Sequence, residues 1–244
     1  MPRTLAIETS GKIGSVAVAE GARVLAEESF PHHFQHAAGL LPLIDKLTRQ
    51  VGWRPGDVER VCVSVGPGSF TGLRIGVTAA KTIAFATNAK LIAVPTTRVL
   101  LANAPADARE VVIVLDAKRG QVFTARFTKA ARGLASQSDH PDDDWTEAEP
   151  EHLDTLAAVL LRSARPVHLI GEGLPYHAAA AEGDGVITTP ESTWQARAAA
   201  VAALGDRMAA AGAFTDPFRL TPVYVRRPEP EEKRLAAEAS NAAK

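Results

Sequence analysis

The chain of 244 residues is short of several features that would each indicate a class of protein. It has one cysteine, Cys62, so no disulfide framework can form within it. No run approaches the roughly 18 apolar residues of a membrane span, and the first residues lack the apolar core of a signal peptide. The formal net charge of −1 excludes an overall basic field that would recruit nucleic acid. These absences predict a soluble, cytoplasmic protein.

Apolar residues make up 46% of the chain, which is enough for one large domain or two small ones. Short β-branched runs bounded by turn residues predict strands at 4–7, 14–19, 23–28, 61–65, 90–94, 110–115, 121–127 and 167–170. Apolar spacing of helical period predicts helices over 35–51, 71–88, 96–103, 152–164 and 194–211. The alternation of strands and helices indicates the α/β class.

The order of these elements restarts near residue 106. In each part an apolar strand ends in an acidic residue, Glu8 or Asp116, and a turn with glycine leads into a second strand. We therefore predict two similar α/β halves, 1–105 and 106–225, each with a central mixed sheet. The acidic block 139–151 is expected to be a solvated loop, and the charged tail 226–244 is expected to be disordered.

The stretch from Gly66 to Val77 joins a strand to a helix through Gly-Pro-Gly, and Ser69 or Thr71 can supply the helix N-cap. The helix that follows has two apolar edges, although a surface helix needs only one. Leu73, Val77, Ala80 and Ala84 form the first edge; Gly72, Ile75, Gly76, Ala79 and Ile83 form the second. We interpret the second edge as a contact surface for another helix, with its glycines permitting close approach.

Three chemical readings of the sequence compete with this one. The glycine-rich loop opens a helix and is an anion site in principle, but it matches neither the Walker pattern nor the dinucleotide fingerprint. Glu8 and Asp116 are either carboxylates for a metal-bound phosphate or hydrogen-bonded turn acids. Among His32, His33 and His36, the first and last have the spacing of two metal ligands, but no further ligand is marked, so an exposed histidine is the alternative. No Gly-x-Ser-x-Gly nucleophile occurs, and Cys62 reads as a buried structural thiol.

Five segments together resemble the TsaB (YeaZ) family. They are Leu5–Ser10, His36 followed by Leu40–Asp45, Gly66–Gly76, Asp116–Val122 and Pro222–Pro228. The resemblance spans roughly residues 4 to 228, and the string Gly-Pro-Gly-Ser-Phe-Thr-Gly-Leu-Arg is its most specific part. Where the family commonly has aspartate, this chain has Glu8.

The resemblance implies an actin-like (ASKHA, RNase H-like) duplicated fold. It also implies a non-catalytic subunit that pairs with its catalytic paralogue TsaD and with the ATPase TsaE. Together these proteins would transfer a threonylcarbamoyl group to adenosine 37 of tRNAs that read codons starting with A. ATP and metal are expected on the partner subunits, with no cofactor or metal on this chain and no catalytic residue in it.

The resemblance places the contact with TsaD on helices 35–51 and 71–88 of the first half. The predicted interface residues are Leu40, Leu43, Ile44, Gly72, Leu73, Ile75, Gly76, Ala79 and Ile83. A homodimer through the same surface is expected when the chain is alone. Glu8, Ser10 and Asp116 are candidates for a vestigial nucleotide site. The alternative functions are an ATP-dependent small-molecule kinase of the same fold and a metallopeptidase.

Overall fold

A computed structural model describes residues 1–31, 36–129 and 144–224, and two five-stranded sheets dominate it. The first sheet consists of β1 (Arg3–Glu8), β2 (Ile13–Glu20), β3 (Arg23–Pro31), β4 (Arg60–Ser64) and β5 (Lys90–Val94). Its spatial order is β3-β2-β1-β4-β5. The helices of this part of the chain are α1 (His36–Gln50), α2 (Phe70–Thr87) and α3 (Thr96–Leu101).

The second sheet follows the same plan. Its strands are β6 (Glu110–Asp116), β7 (Val122–Lys129), β8 (Trp145–Asp154), β9 (Val167–Ile170) and β10 (Val186–Thr188), in the spatial order β10-β9-β6-β7-β8. The helices of this part are α4 (Leu156–Arg162) and α5 (Ala198–Ala210), with short 3-10 turns between β9 and α5.

The two sheets repeat one topology. In each, the first three strands form an antiparallel meander, and the fourth and fifth strands lie parallel to the first on its other side. A meander joined to parallel strands through helices is the arrangement of an actin-like half, and two such halves confirm the predicted duplicated α/β fold. The ends of β1 and β6 therefore occupy equivalent positions, as the matching Glu8 and Asp116 had indicated.

Apolar side chains divide the molecule into five layers. Leu5 and Ile7 of β1 belong to a cluster that packs under α1 and α2, on the outer face of the first sheet. Ala6, on the other face of β1, belongs to a larger cluster that includes α3, α5 and the inner face of the second sheet. Val112 and Val114 of β6 face α4 on the far side. The alternation along β1 and β6 is the period of two expected for strands that are covered on both faces.

The structure revises the predictions of a loop at 139–151 and of a helix at 152–164. Residues 145–154 of the predicted acidic loop and helix form β8, which pairs antiparallel with β7, and the following helix is confined to α4. Helix α5 packs across the strands of the first sheet, and the segment after it also returns there, with Thr215 N donating to Leu91 O at 2.8 Å. The boundaries 1–105 and 106–225 stay a prediction, but α5 and the segment after it pack on the first half.

Some predictions concern residues outside the described ranges. These are the histidines His32 and His33, the first part of the acidic block at 139–143 and the tail 226–244. Within the described ranges, none of the helices is both long enough and apolar enough to cross a membrane.

Candidate functional site

The start of α2 is built as the sequence indicates. Ser69 is the N-cap, and its Oγ accepts a hydrogen bond from Gly72 N at 3.2 Å. The glycine-rich loop before α2 is joined to the turn after β1, because Ser69 N donates a hydrogen bond to Ser10 O at 2.7 Å. This amide of the glycine-rich loop is therefore committed to the chain's own backbone, which weighs against reading the loop as a phosphate cradle.

Gly72 and Gly76 face the end of β1 rather than a partner. A Cβ atom at Gly72 would overlap the carbonyl oxygen of Thr9, and one at Gly76 would overlap the Thr9 hydroxyl. Both glycines are buried. The prediction that these glycines permit the close approach of another subunit's helix is wrong. They allow α2 to lie against the chain's own first strand.

Four more of the predicted interface residues belong to the core of the first half. Leu40 and Leu73 are each 1% exposed, and Leu43 and Ile44 are nearly as inaccessible. They pack in the cluster that joins α1 and α2 to the outer face of the first sheet, or lie fully buried beside it. The structure therefore removes these residues from the candidate contact surface, because a partner cannot reach them in this conformation.

The remaining predicted interface residues, Ile75, Ala79 and Ile83, are half-buried at the outer side of α2. Leu41 of α1 is 56% exposed and was not among the predicted interface residues. We define the outer helix face by its six residues, which carry no charge: Leu41, Ile75, Thr78, Ala79, Thr82 and Ile83. The five residues from α2 follow spacings of three and four, so they lie along one side of that helix.

The second candidate site lies where the turns after β1 and β6 come together near Tyr176, and we call this place the cleft. Glu8 is fully buried at the end of β1, and its Oε1 accepts hydrogen bonds from the amide and the hydroxyl of Ser10, each at 2.5 Å. Burial is the main reason that the pKa of Glu8 lies above its ordinary value, although the bonds from Ser10 oppose it. Glu8 and Ser10 thus form a hydrogen-bonded turn at the end of β1, which we call an acid turn.

Asp116 occupies the equivalent position at the end of β6 with different partners. Lys118 donates to its carboxylate from the backbone amide at 3.0 Å and from Nζ at 2.6 Å, while His177 Nε2 lies 3.4 Å from Oδ1. Partial burial alone would raise the pKa of Asp116, but the hydrogen bonds from Lys118 outweigh it and hold that pKa below its ordinary value.

Side chains that the sequence did not mark close the cleft between these two turns. Glu172, just after β9, accepts a hydrogen bond from Lys12 N of the first half at 2.8 Å. The ammonium groups of Lys12 and Lys118 lie 4.8 and 5.1 Å from the ring centroid of Tyr176. A Gly-Glu-Gly sequence after a buried strand was the available signal, but it did not show that Glu172 would reach the other half.

The described residues contain no group of three or more His, Cys, Asp or Glu side chains that could hold a metal ion. Cys62 is fully buried in β4, and burial raises the pKa of its thiol to about 12. It has the environment expected of a structural thiol, which agrees with the reading of Cys62 from sequence.

Comparisons with known proteins match the chain to a TsaD family model and to TsaB relatives. A family model described as TsaD: tRNA N6-adenosine threonylcarbamoyltransferase matches residues 31–243. The chain is 32% identical over 178 residues to the tRNA threonylcarbamoyladenosine biosynthesis protein TsaB of Bacillus subtilis, covering 71% of this chain and 72% of that protein. It is 30% identical over 135 residues to TsaB of Escherichia coli, covering 54% of this chain and 58% of that protein.

A solved structure has the same fold. YeaZ from Pseudomonas aeruginosa superposes with a TM-score of 0.75 at 24% sequence identity, covering 92% of this chain and all of that chain. The coverage shows that the likeness in fold extends over both halves.

Proposed function

The chain belongs to the TsaB (YeaZ) family, and from that membership we propose that it supports tRNA threonylcarbamoyladenosine biosynthesis as a scaffold for a catalytic paralogue. The biosynthetic role is the one for which the TsaB relatives are named. In the proposed mechanism this chain binds a TsaD-type subunit and holds it in its active arrangement. The chain itself would make or break no bond.

The observation that carries the proposal is the outer helix face. Leu41 is more than half exposed, and the five residues that α2 contributes to this face are apolar or small and carry no charge. Such a surface fits another pair of helices, because apolar and small side chains permit close packing and leave no charge to be desolvated. A paralogue of the same fold has equivalent helices, and the match of a TsaD family model to this chain supports that likeness.

The cleft supports a non-catalytic role. Each of the three acidic groups at its strand ends accepts a hydrogen bond from the chain itself: Glu8 Oε1 from Ser10, Asp116 from Lys118, and Glu172 from Lys12. Groups held in this way are less available to a nucleotide or a metal-bound phosphate. We therefore assign nucleotide chemistry to the partners, a TsaD-type subunit and a TsaE-type ATPase, with the complex in the cytoplasm.

The test is binding to a TsaD-type subunit after the outer helix face is made charged. We expect Leu41→Glu and Ala79→Glu, each a half-buried or exposed position, to weaken the affinity at least tenfold, about 1.4 kcal/mol, because each carboxylate would be desolvated in the interface. Formation of threonylcarbamoyladenosine in the reconstituted reaction should fall in parallel. Calorimetry on the purified subunits measures the first effect and nucleoside analysis of tRNA the second.

Leu161→Glu is the matched control, because Leu161 is 88% exposed on α4, on the opposite side of the molecule. It should bind and support the reaction like the unchanged chain. Unaltered binding by both outer-face variants would overturn the proposed interface. Turnover of ATP by the isolated chain, abolished by Glu8→Ala, would instead favour a kinase. In a separate measurement, sedimentation of the isolated chain as a dimer would support self-association through the outer helix face.

A further inference from the structure

A cavity of about 370 Å³ lies where α3 and α5 meet beside the end of β5. It is separate from the outer helix face and from the acid turns of the cleft. Its lining consists of Val94, Pro95, Arg98, Leu101, Leu204, Arg207 and Met208. The volume has room for roughly twelve water-sized groups, which is at the small end of ligand pockets.

The cavity has an apolar floor and a cationic side. Val94 and Leu101 are buried in the core between the two sheets, and Leu204 and Met208 of α5 pack against that core from above. Among the described residues of the lining, the two polar side chains are the guanidinium groups of Arg98 and Arg207, and none is a carboxylate. A pocket of this composition selects for a molecule that is apolar at one end and anionic at the other.

Arg98 is held in position without using up its donors. Its guanidinium carbon lies 4.9 Å from the ring centroid of Phe127, and Nη2 donates to Glu147 Oε2 at 3.2 Å. Both partners of this ion pair are about one-third exposed, so water competes with it. Since a guanidinium carries five N–H donors, Arg98 can bind Glu147 and a second carboxylate together.

We propose that this cavity binds a small organic monoanion, a carboxylate with an apolar body. The carboxylate would lie against Arg98 and Arg207, and the apolar body would contact Leu101, Leu204 and Met208. Helix α3 leads from the first half to β6, and α5 returns from the second half to the first sheet. The ligand would therefore contact both of the helices that connect the two halves. Its binding would therefore stabilise the whole chain against unfolding.

Three matched probes test the charge requirement on the full chain: hexanoate, hexan-1-ol and hexylamine. We expect saturable binding of hexanoate at least tenfold tighter than binding of hexan-1-ol, and no saturable binding of hexylamine. Calorimetry gives the affinities, and saturation-transfer NMR reports which part of the probe contacts the protein. Equal affinity for hexanoate and hexan-1-ol, or no saturable binding of hexanoate at millimolar concentration, would overturn the proposal.

Variants test the location. Arg98→Gln and Arg207→Gln should each weaken hexanoate binding at least tenfold and leave hexan-1-ol unchanged, because glutamine keeps a polar donor but removes the charge. Met208→Trp should exclude both probes by filling the cavity. Arg23→Gln, at an exposed position in β3, is the control and should bind like the unchanged chain. Circular dichroism checks that each variant is folded, and full retention of binding by the Arg98→Gln/Arg207→Gln double variant would contradict the assignment.

Discussion

At the scale of single residues, the packing of α2 depends on positions where neighbouring atoms leave no room for a side chain. Gly72 and Gly76 stand on α2 where a partner surface was expected, yet the atoms nearest to them belong to Thr9 of the same chain. A small residue on a helix indicates close approach of something, but the sequence cannot say whether that neighbour is another subunit or the preceding strand. The same ambiguity explains why the predicted contact list included Leu40 and Leu73.

Gly72→Ala should reduce the free energy of unfolding by about 2 kcal/mol, since the added methyl group overlaps a backbone carbonyl that cannot rotate away. The matched control is Gly39→Ala in α1, where, apart from the adjacent backbone, no atom of the described residues lies within 4 Å of the added Cβ. There the higher helix propensity of alanine should increase stability by about 0.5–1 kcal/mol. Urea unfolding of both variants measures the difference, and equal stabilities would contradict the packing described at Thr9.

Glu8 makes a prediction about pH. Its pKa is raised in the folded chain above the ordinary value of 4.5, so above that pH the folded state holds a proton that the unfolded state releases. The free energy of unfolding should therefore fall as the pH rises from 4.5 to neutrality, relative to Glu8→Gln, which cannot ionise. Urea unfolding of both proteins across this range tests the sign. A stability difference that stays constant with pH, or one that grows in favour of the unchanged chain, would contradict it.

At the scale of elements, the sequence predicted those whose apolar period is clear and missed one whose residues are charged. Strands β1, β4, β5 and β6 were predicted within one or two residues of their observed ends. Strand β8 was not, because its sequence is rich in acids and resembles a solvated loop. Three of its acids, Glu147, Glu149 and Asp154, pair with arginines from other elements, and Glu151 accepts a hydrogen bond from the Thr97 hydroxyl. A local stretch of sequence does not show such pairing.

The site was predictable to a similar extent. Helices α1 and α2 were correctly located, and Glu8, Ser10 and Asp116 were correctly placed at strand ends. Six of the nine predicted interface residues on α1 and α2 are buried, and only Ile75, Ala79 and Ile83 remain accessible. Two apolar edges on one helix have the same periodicity whether they face a core or a partner. The bridging role of Glu172 depends on how the halves meet, which no local pattern records.

Arg126 on β7 shows how β8 is held. Its guanidinium contacts Glu110 of β6 at 2.8 Å and Glu149 of β8 at 3.1 Å, and the side chain of Glu110 is only 4% exposed. Arg126→Gln should cost about 3 kcal/mol of stability, because it leaves a buried carboxylate without its cation. Adding Glu110→Gln should recover a large part of that loss.

Arg162→Gln is the control for Arg126→Gln. Arg162 also binds Glu149, but its side chain is 42% exposed, so its loss should cost less than about 1 kcal/mol. A double-mutant cycle by urea unfolding measures the coupling of Arg126 and Glu110. Equal losses for Arg126→Gln and Arg162→Gln would show that burial does not set the strength of this pair.

At the scale of the whole molecule, the two halves are not independent units. Helix α5 covers the inner face of the first sheet, where Ala6, Ala17 and Cys62 lie, although it follows the second sheet in the chain. Ion pairs fix it there, since Arg60 of β4 binds Asp206 at 2.7 Å and Glu27 of β3 binds Arg197. Dividing the chain at residue 105, as predicted, would therefore separate the first sheet from α5, which covers the inner face of that sheet.

Residues 1–105 expressed alone should not unfold cooperatively and should bind a fluorescent apolar dye, because the inner face of the first sheet is uncovered. Joining residues 197–224 to this fragment through a flexible linker should restore a cooperative transition and reduce dye binding. Calorimetry and fluorescence titration make the comparison. Cooperative unfolding of the 1–105 fragment without α5 would show that the sheet does not need its returning helix.

The position of α5 in the chain also determines when the first sheet can be covered during translation. A ribosome completes the strands of the first sheet early, but the helix that closes over them emerges only after the entire second sheet has been translated. Throughout that interval the inner face of the first sheet, with Ala6, Ala17 and Ala19, has no helix to cover it. We therefore expect the nascent chain to be a target for chaperones that bind exposed apolar surface.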